Sequence, residues 1–164
     1  MENRPVACPV DKPLLFRYSP HRGSMLLLDR LEDYSFSPAA LTALVDITST
    51  SPFFDHEIKM VPPWVSFEYM AQSIALLAGL RGASRGEKPN IGFIMGVREF
   101  KAFCDGFPEG KKVKIHIRQV LLHEAVAVFK GEAWMDGVRA AAGTLSTVEG
   151  SPALIARMKE NASE

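Results

Sequence analysis

Glu68 is the residue whose setting best suits chemistry. At 3.6 residues per turn, a helix through this stretch puts Trp64, Val65, Glu68, Ala71, Gln72, Ala75 and Gly79 on one face. A carboxylate among such neighbours loses hydration, which favours its protonated form and suits a general acid. The small residues beside it would let a ligand or another backbone approach closely. The structural alternative is a glutamate that pairs with Arg or Lys across the fold. The opposite face holds Ser66, Met70, Ser73, Leu77 and Arg81, a mixed set that could meet solvent or another element. His56, twelve positions before Glu68, is a second candidate, because histidine can accept a proton near neutral pH. A lone loop histidine is more often incidental. The start of the helix near Pro62, Pro63 and Trp64 adds the positive end of a peptide dipole, which could polarise a carbonyl oxygen.

These side chains need a frame. Pro63 suits the first turn of a helix, where its missing N–H costs nothing, so the helix is predicted to run from there through Arg81 and stop at Gly82. Residues 50–63 before it read as a loop containing Phe53, Phe54, Asp55 and His56. Residues 40–49 alternate Leu41, Ala43, Val45 and Ile47, the pattern of a half-buried strand. Leu26, Leu27 and Leu28 fit a short strand or a helical turn. Residues 91–97 form a short apolar run interrupted by Gly92 and Gly96. Val113, Ile115 and Ile117 alternate with Lys112, Lys114, His116 and Arg118, again a strand. Further strands are predicted over 125–135 and 138–148, joined at Asp136-Gly137, a strong hairpin signal. One long helix followed by an antiparallel meander is an α+β layout, in which the meander must curl around the helix to bury it. The reading divides the chain into an irregular lead (1–12), one domain (13–150) and a tail or short helix (151–164).

The 164 residues are 47% hydrophobic and 23% charged, with formal net charge +0, enough chain for one packed domain. No basic excess suggests nucleic acid. The apolar run Ile74–Leu80 is far too short to span a bilayer, and the first residues lack the apolar core of a signal peptide. Cys8 and Cys104 read as two reduced thiols rather than a metal site, so no metal is expected. A cytoplasmic location is the expectation.

Three stretches carry a resemblance. They are Pro20-His-Arg-Gly-Ser-Met-Leu-Leu-Leu-Asp-Arg30; Pro52-Phe-Phe with Pro62-Pro-Trp-Val-Ser-Phe-Glu-Tyr-Met-Ala-Gln72; and Phe107-Pro-Glu-Gly110 with the strands up to Trp134-Met-Asp-Gly137. Together they resemble the hot-dog 3-hydroxyacyl-ACP dehydratases (FabZ-like), most nearly those of aryl-polyene and polyketide-type clusters. The likeness spans residues 13–148, and its Glu-x-Met-Ala-Gln run is the most specific part. It implies a hot-dog fold, a long helix wrapped by an antiparallel sheet, with subunits pairing sheet to sheet and active sites at their interface. It implies that Glu68 protonates the departing hydroxyl, with Gln72 orienting it. His56, acting across the interface, would remove the α-proton. Phe54, Pro63 and Trp64 would lie against the substrate, and His21, more often structural in this signature, would be the base only if His56 is not. The resemblance further implies no cofactor, with the acyl chain carried on the phosphopantetheine of an acyl carrier protein. Arg81, Arg85 and Lys88 would form the docking patch for that carrier, unless they are simply a solvated basic loop. His116 and His123 read as ordinary strand histidines.

Two departures from the family pattern stand out. The segment from His56 to the helix is two residues shorter and lacks Phe-Pro-Gly. Pro63 stands where the family usually has a Gly that donates its N–H to the thioester carbonyl, so either Trp64 N–H takes over or the carbonyl is held differently. Two other functions remain open. One is a hot-dog thioesterase in which Glu68 activates water. The other is a non-catalytic subunit that pairs with an active dehydratase, as a homodimer or a heterodimer would allow.

Overall fold

A computed structural model describes residues 3–88, 92–150 and the single positions 153, 156, 157 and 160. Most of the tail expected at 151–164 lies outside them. In chain order the elements are β1 (Val10–Asp11), α1 (Lys12–Leu15), β2 (Arg30–Phe36), β3 (Ala39–Asp46), β4 (Met60–Val61), α2 (Ser66–Ser84), β5 (Gly92–Ala102), β6 (Phe107–Pro108), β7 (Lys112–His123), β8 (Val126–Met135) and β9 (Val138–Glu149). Short 3-10 turns cover Gly23–Met25 and Pro63–Val65. Seven strands form one sheet in the order β1-β2-β3-β7-β8-β9-β5, and β4 pairs separately with β6. Every strand pairing is antiparallel.

The alternation in β3 and β7 sets the core. Leu41, Ala43 and Val45 on β3 and Val113, Ile115 and Ile117 on β7 are all buried. They face α2, whose Tyr69, Met70, Leu76, Leu77 and Leu80 are buried in turn. The face carrying Ser66, Met70, Ser73 and Leu77, read as mixed, is therefore the packed one. Its two serines are tolerated because each hydroxyl stays within the helix: Ser66 Oγ donates to Pro63 O at 2.7 Å and Ser73 Oγ to Tyr69 O at 2.8 Å.

The helix also runs further than predicted. Gly82 lies inside it, and the chain turns at Gly86, with φ +75. There Gly86 N–H donates to Ala83 O at 3.0 Å and Glu87 N–H to Gly82 O at 2.9 Å, the paired bonds of a Schellman ending. Gly79 meets a different need: a Cβ there would come within 1.7 Å of Tyr18 O, so the absence of a side chain lets the N-terminal segment lie directly on the helix.

Three other expectations shift. Val10–Asp11, read as irregular lead, already pairs with β2. Leu26–Leu28 is neither strand nor helix, but all three leucines are buried in the core. The described part of the run, from Gly92 to Val97, opens the eleven-residue strand β5. The Asp136-Gly137 hairpin is as predicted, both residues having positive φ (52 and 74) as a type I′ turn requires.

Candidate active site

The first turn of α2 presents Glu68 on a half-buried face, with Ala71, Ala75 and Ala78 following it. Gln72, one turn on, is 1% exposed. Its Nε2 donates to Glu68 Oε1 at 3.0 Å and to Met25 O at 2.7 Å, while its Oε1 accepts from Leu27 N–H at 2.8 Å. One buried amide therefore uses both ends. It holds the carboxyl group of Glu68 and latches residues 25–27 onto the helix.

That latch brings His21 to Glu68. Both line a cavity of about 230 Å³, together with Ala71, Ala75, Ala78, Phe93, Ile94 and Val148. Burial pushes the His21 imidazole below its ordinary value, Glu68 pulls it back up, and Arg22 lowers it further. The net effect is downward, which favours the neutral ring. His21 Nδ1 lies 3.2 Å from the hydroxyl of buried Ser19, which also accepts the His21 backbone N–H at 3.1 Å. In the tautomer that donates from Nδ1 to Ser19 Oγ, Nε2 keeps its lone pair. A basic nitrogen and a carboxyl thus share one largely apolar cavity. Sequence reasoning placed His21 in a motif where it is more often structural and made it a base only if His56 is not. The signal for it was its place in the Pro20-to-Arg30 motif.

The other expected residues lie elsewhere. His56 sits in an exposed turn with its ring 5.1 Å from that of Phe54, and it does not line the Glu68 cavity of its own chain. Trp64, 58% exposed, packs edge-on against Phe53 at 5.8 Å. Pro63 opens the 3-10 turn that leads into α2. Pro62 O accepts from Val65 N–H, which leaves the Trp64 N–H among the first-turn donors without an intrahelical acceptor. Arg81 and Arg85 lie at the far end of α2 and line a second cavity. Arg81 reaches back to Phe36 O at 3.4 Å, and Lys88 is exposed beyond it. His116 bonds Thr42 across β3 and β7 at 3.0 Å. Cys8 and Cys104 are unpaired. Among the described residues no group of three or more His, Cys, Asp or Glu side chains could hold a metal ion, and no helix is long and apolar enough to cross a membrane.

A long helix packed against a seven-stranded antiparallel sheet defines the hot-dog fold. The fold matches the dehydratase heterocomplex ApeI:P from Xenorhabdus doucetiae with a TM-score of 0.81 and 24% identity, covering 93% of this chain and 98% of that one. A hypothetical thioesterase with coenzyme A from Streptococcus pneumoniae shares the fold at a TM-score of 0.58 and 11% identity, covering 74% of this chain and 84% of the other. In sequence, the chain is 29% identical over 126 residues to the 3-hydroxyacyl-[acyl-carrier-protein] dehydratase FabZ of Shewanella denitrificans, spanning 75% of this chain and 81% of that protein. The FabZ of Shewanella frigidimarina is 28% identical over the same shares. The ApeP-like family, described as ApeP dehydratase, matches residues 14–158. The chain belongs to the ApeP-like dehydratase family, and it is a dehydratase.

Proposed function

We propose that the chain removes water from a 3-hydroxyacyl thioester to give the trans-2-enoyl thioester, with Glu68 as acid and His21 as base. The shared cavity of His21 and Glu68 carries this reading. The His21 Nε2 lone pair takes a proton from the carbon next to the thioester carbonyl. The C–H electron pair becomes the new C=C bond, the C–O bond at the β-carbon breaks, and the leaving oxygen takes the Glu68 proton to depart as water. The His21 proton then returns to Glu68, directly or through solvent, and the site is reset. The Trp64 N–H at the helix start suits the thioester carbonyl, where negative charge develops. The reaction as written needs no cofactor and no metal. An acyl carrier protein is the proposed carrier, by analogy with the FabZ relatives, and the cytoplasm the proposed location.

A second reading places the base across an interface. Strand β5 is one of the two outer strands of the sheet, and its Ile94, Met95 and Val97 are exposed, so among the described residues it offers a long unpaired edge to another hot-dog subunit. In such a pair, His56 of one subunit would serve Glu68 of the other. The test is turnover of 3-hydroxyacyl-ACP, followed by mass, in His21→Ala, His56→Ala and Glu68→Gln. Loss of water abolished by His21→Ala and Glu68→Gln but kept in His56→Ala supports the first reading. Loss with His56→Ala instead moves the base to the loop. Free acid in place of enoyl product would mean a thioesterase, and no reaction in the parent, with carrier still bound, a non-catalytic subunit.

A further inference from the structure

The outer face of the sheet carries charges that dehydration does not use. Opposed residues on antiparallel strands share a face, so the register fixes which side chains stand there, away from α2. One row across the strands is Arg118 on β7, Lys130 on β8, Thr144 on β9 and Arg98 on β5. The next is His116, Glu132, Ala142 and Lys101, and a third brings Lys114 beside Trp134 and Arg139. Arg98, Lys101, Lys114, Arg118 and Lys130 are exposed, and among the described residues none of them makes an ion pair. The acids of this face already have partners: Asp33 pairs with Arg4, Asp46 with Lys112 and Glu132 with Arg139. Glu99 lies in the bulge beside Arg98, outside the ladder. On a chain of net charge +0 this is a local basic surplus. We propose that this face lies against an anionic phospholipid bilayer.

Arg118 and Lys130 stand directly opposite each other, where like charges destabilise a sheet. Among the described residues no carboxylate offsets them, so the arrangement costs stability unless an anion lies over it. The row from Arg118 to Arg98 crosses three strand spacings, about 15 Å. A single phosphate cannot reach along all of it. A surface of many phosphates can, and each Lys or Arg near such a surface strengthens partition roughly fivefold. Phe103, 51% exposed, lies at the hairpin end of the face, with the Arg139 guanidinium 5.1 Å from its ring centre and half-buried Trp134 opposite Arg139. Aromatic and basic side chains set side by side suit the boundary between headgroups and acyl chains. Other occupants fit less well. The sheet stands between this face and α2, so a carrier protein bound here would be turned away from Glu68. A second copy stacked on the face through a two-fold axis would set the cations against themselves.

Vesicle flotation tests this. The full chain, with any subunit that copurifies, is mixed with vesicles of phosphatidylcholine alone or with about one-third phosphatidylglycerol. The parent should float with the anionic vesicles only, and be released as salt is raised to about 0.5 M. Arg118→Glu with Lys130→Glu should lower the bound-to-free ratio at least about tenfold. Arg85→Glu with Lys88→Glu changes the net charge equally at the end of α2 and should leave the ratio within about twofold. Lys130→Glu alone gives Arg118 an opposite partner, so it should keep or raise Tm while lowering the ratio at least about fivefold. Binding retained in this folded variant overturns the proposal. So does a parent that does not float, equal binding to both kinds of vesicle, or equal loss in the two double variants. A drop in assembly mass by light scattering in Arg118→Glu with Lys130→Glu also overturns it, because the cations would then belong to a contact between subunits.

Discussion

His21 and Gln72 make the two sharpest residue-scale predictions. The His21 ring is held below the ordinary histidine value of 6.5 mainly by burial, and Glu68 is what raises it. Glu68→Gln should therefore move the His21 titration to still lower pH, read by NMR of the ring protons. The upward pull of Glu68 would be absent if the titration stayed put. The sign for stability follows from the same shift. The folded state disfavours the charged ring, so the His21 contribution is complete above the ordinary value and is lost as pH falls through the lower folded value. Gln72→Leu would keep the volume but leave the buried Leu27 N–H unpaired. It should cost about 1–3 kcal/mol in denaturant unfolding. It should also lower kcat, because the Glu68 carboxyl loses its donor. That Glu68 and Gln72 share a face was legible from helical spacing, while their proposed roles came from the resemblance. His21 was not, since it reaches the site through an irregular segment 47 positions away in sequence, which no periodicity describes.

At the scale of elements, the glycines of α2 separate packing from propensity. Gly79→Ala pushes a Cβ onto Tyr18 O and should destabilise by about 1–3 kcal/mol or more. Gly82→Ala meets nothing closer than Lys88 O at 3.6 Å and should stabilise by up to about 1 kcal/mol through helix propensity. Opposite signs in thermal unfolding would bear this out. Two destabilised variants would mean that Gly82 has a packing role of its own. Sequence showed the helix from its proline start, β3 and the first half of β7 from their alternation, and the β8–β9 hairpin from Asp136-Gly137, although register shifts interrupt β7 after Gln119 and β8 after Ala133. It did not show β2, where a register shift between Leu31 and Asp33 interrupts the alternation. Nor did it show the length of β5, where two shifts and the positive φ of Glu99 do the same. The end of α2 was misplaced because Gly82 and Gly86 are equally plausible stops on sequence, and only the bonds at Gly86 decide between them.

On the scale of the whole molecule, the unpaired edge of β5 sets the assembly prediction. Met95→Glu with Val97→Glu places two like charges on that edge and should abolish pairing with another subunit, read by light scattering and by co-purification. An assembly that survives both changes would have its seam elsewhere. The same strand supplies Gly92, Phe93 and Ile94 to the wall of the Glu68 cavity. A chain laid along β5 would therefore fix the backbone of that wall. The shape of the site would then belong to the pair, and a change of companion could retune which molecules are accepted without altering a residue that touches them.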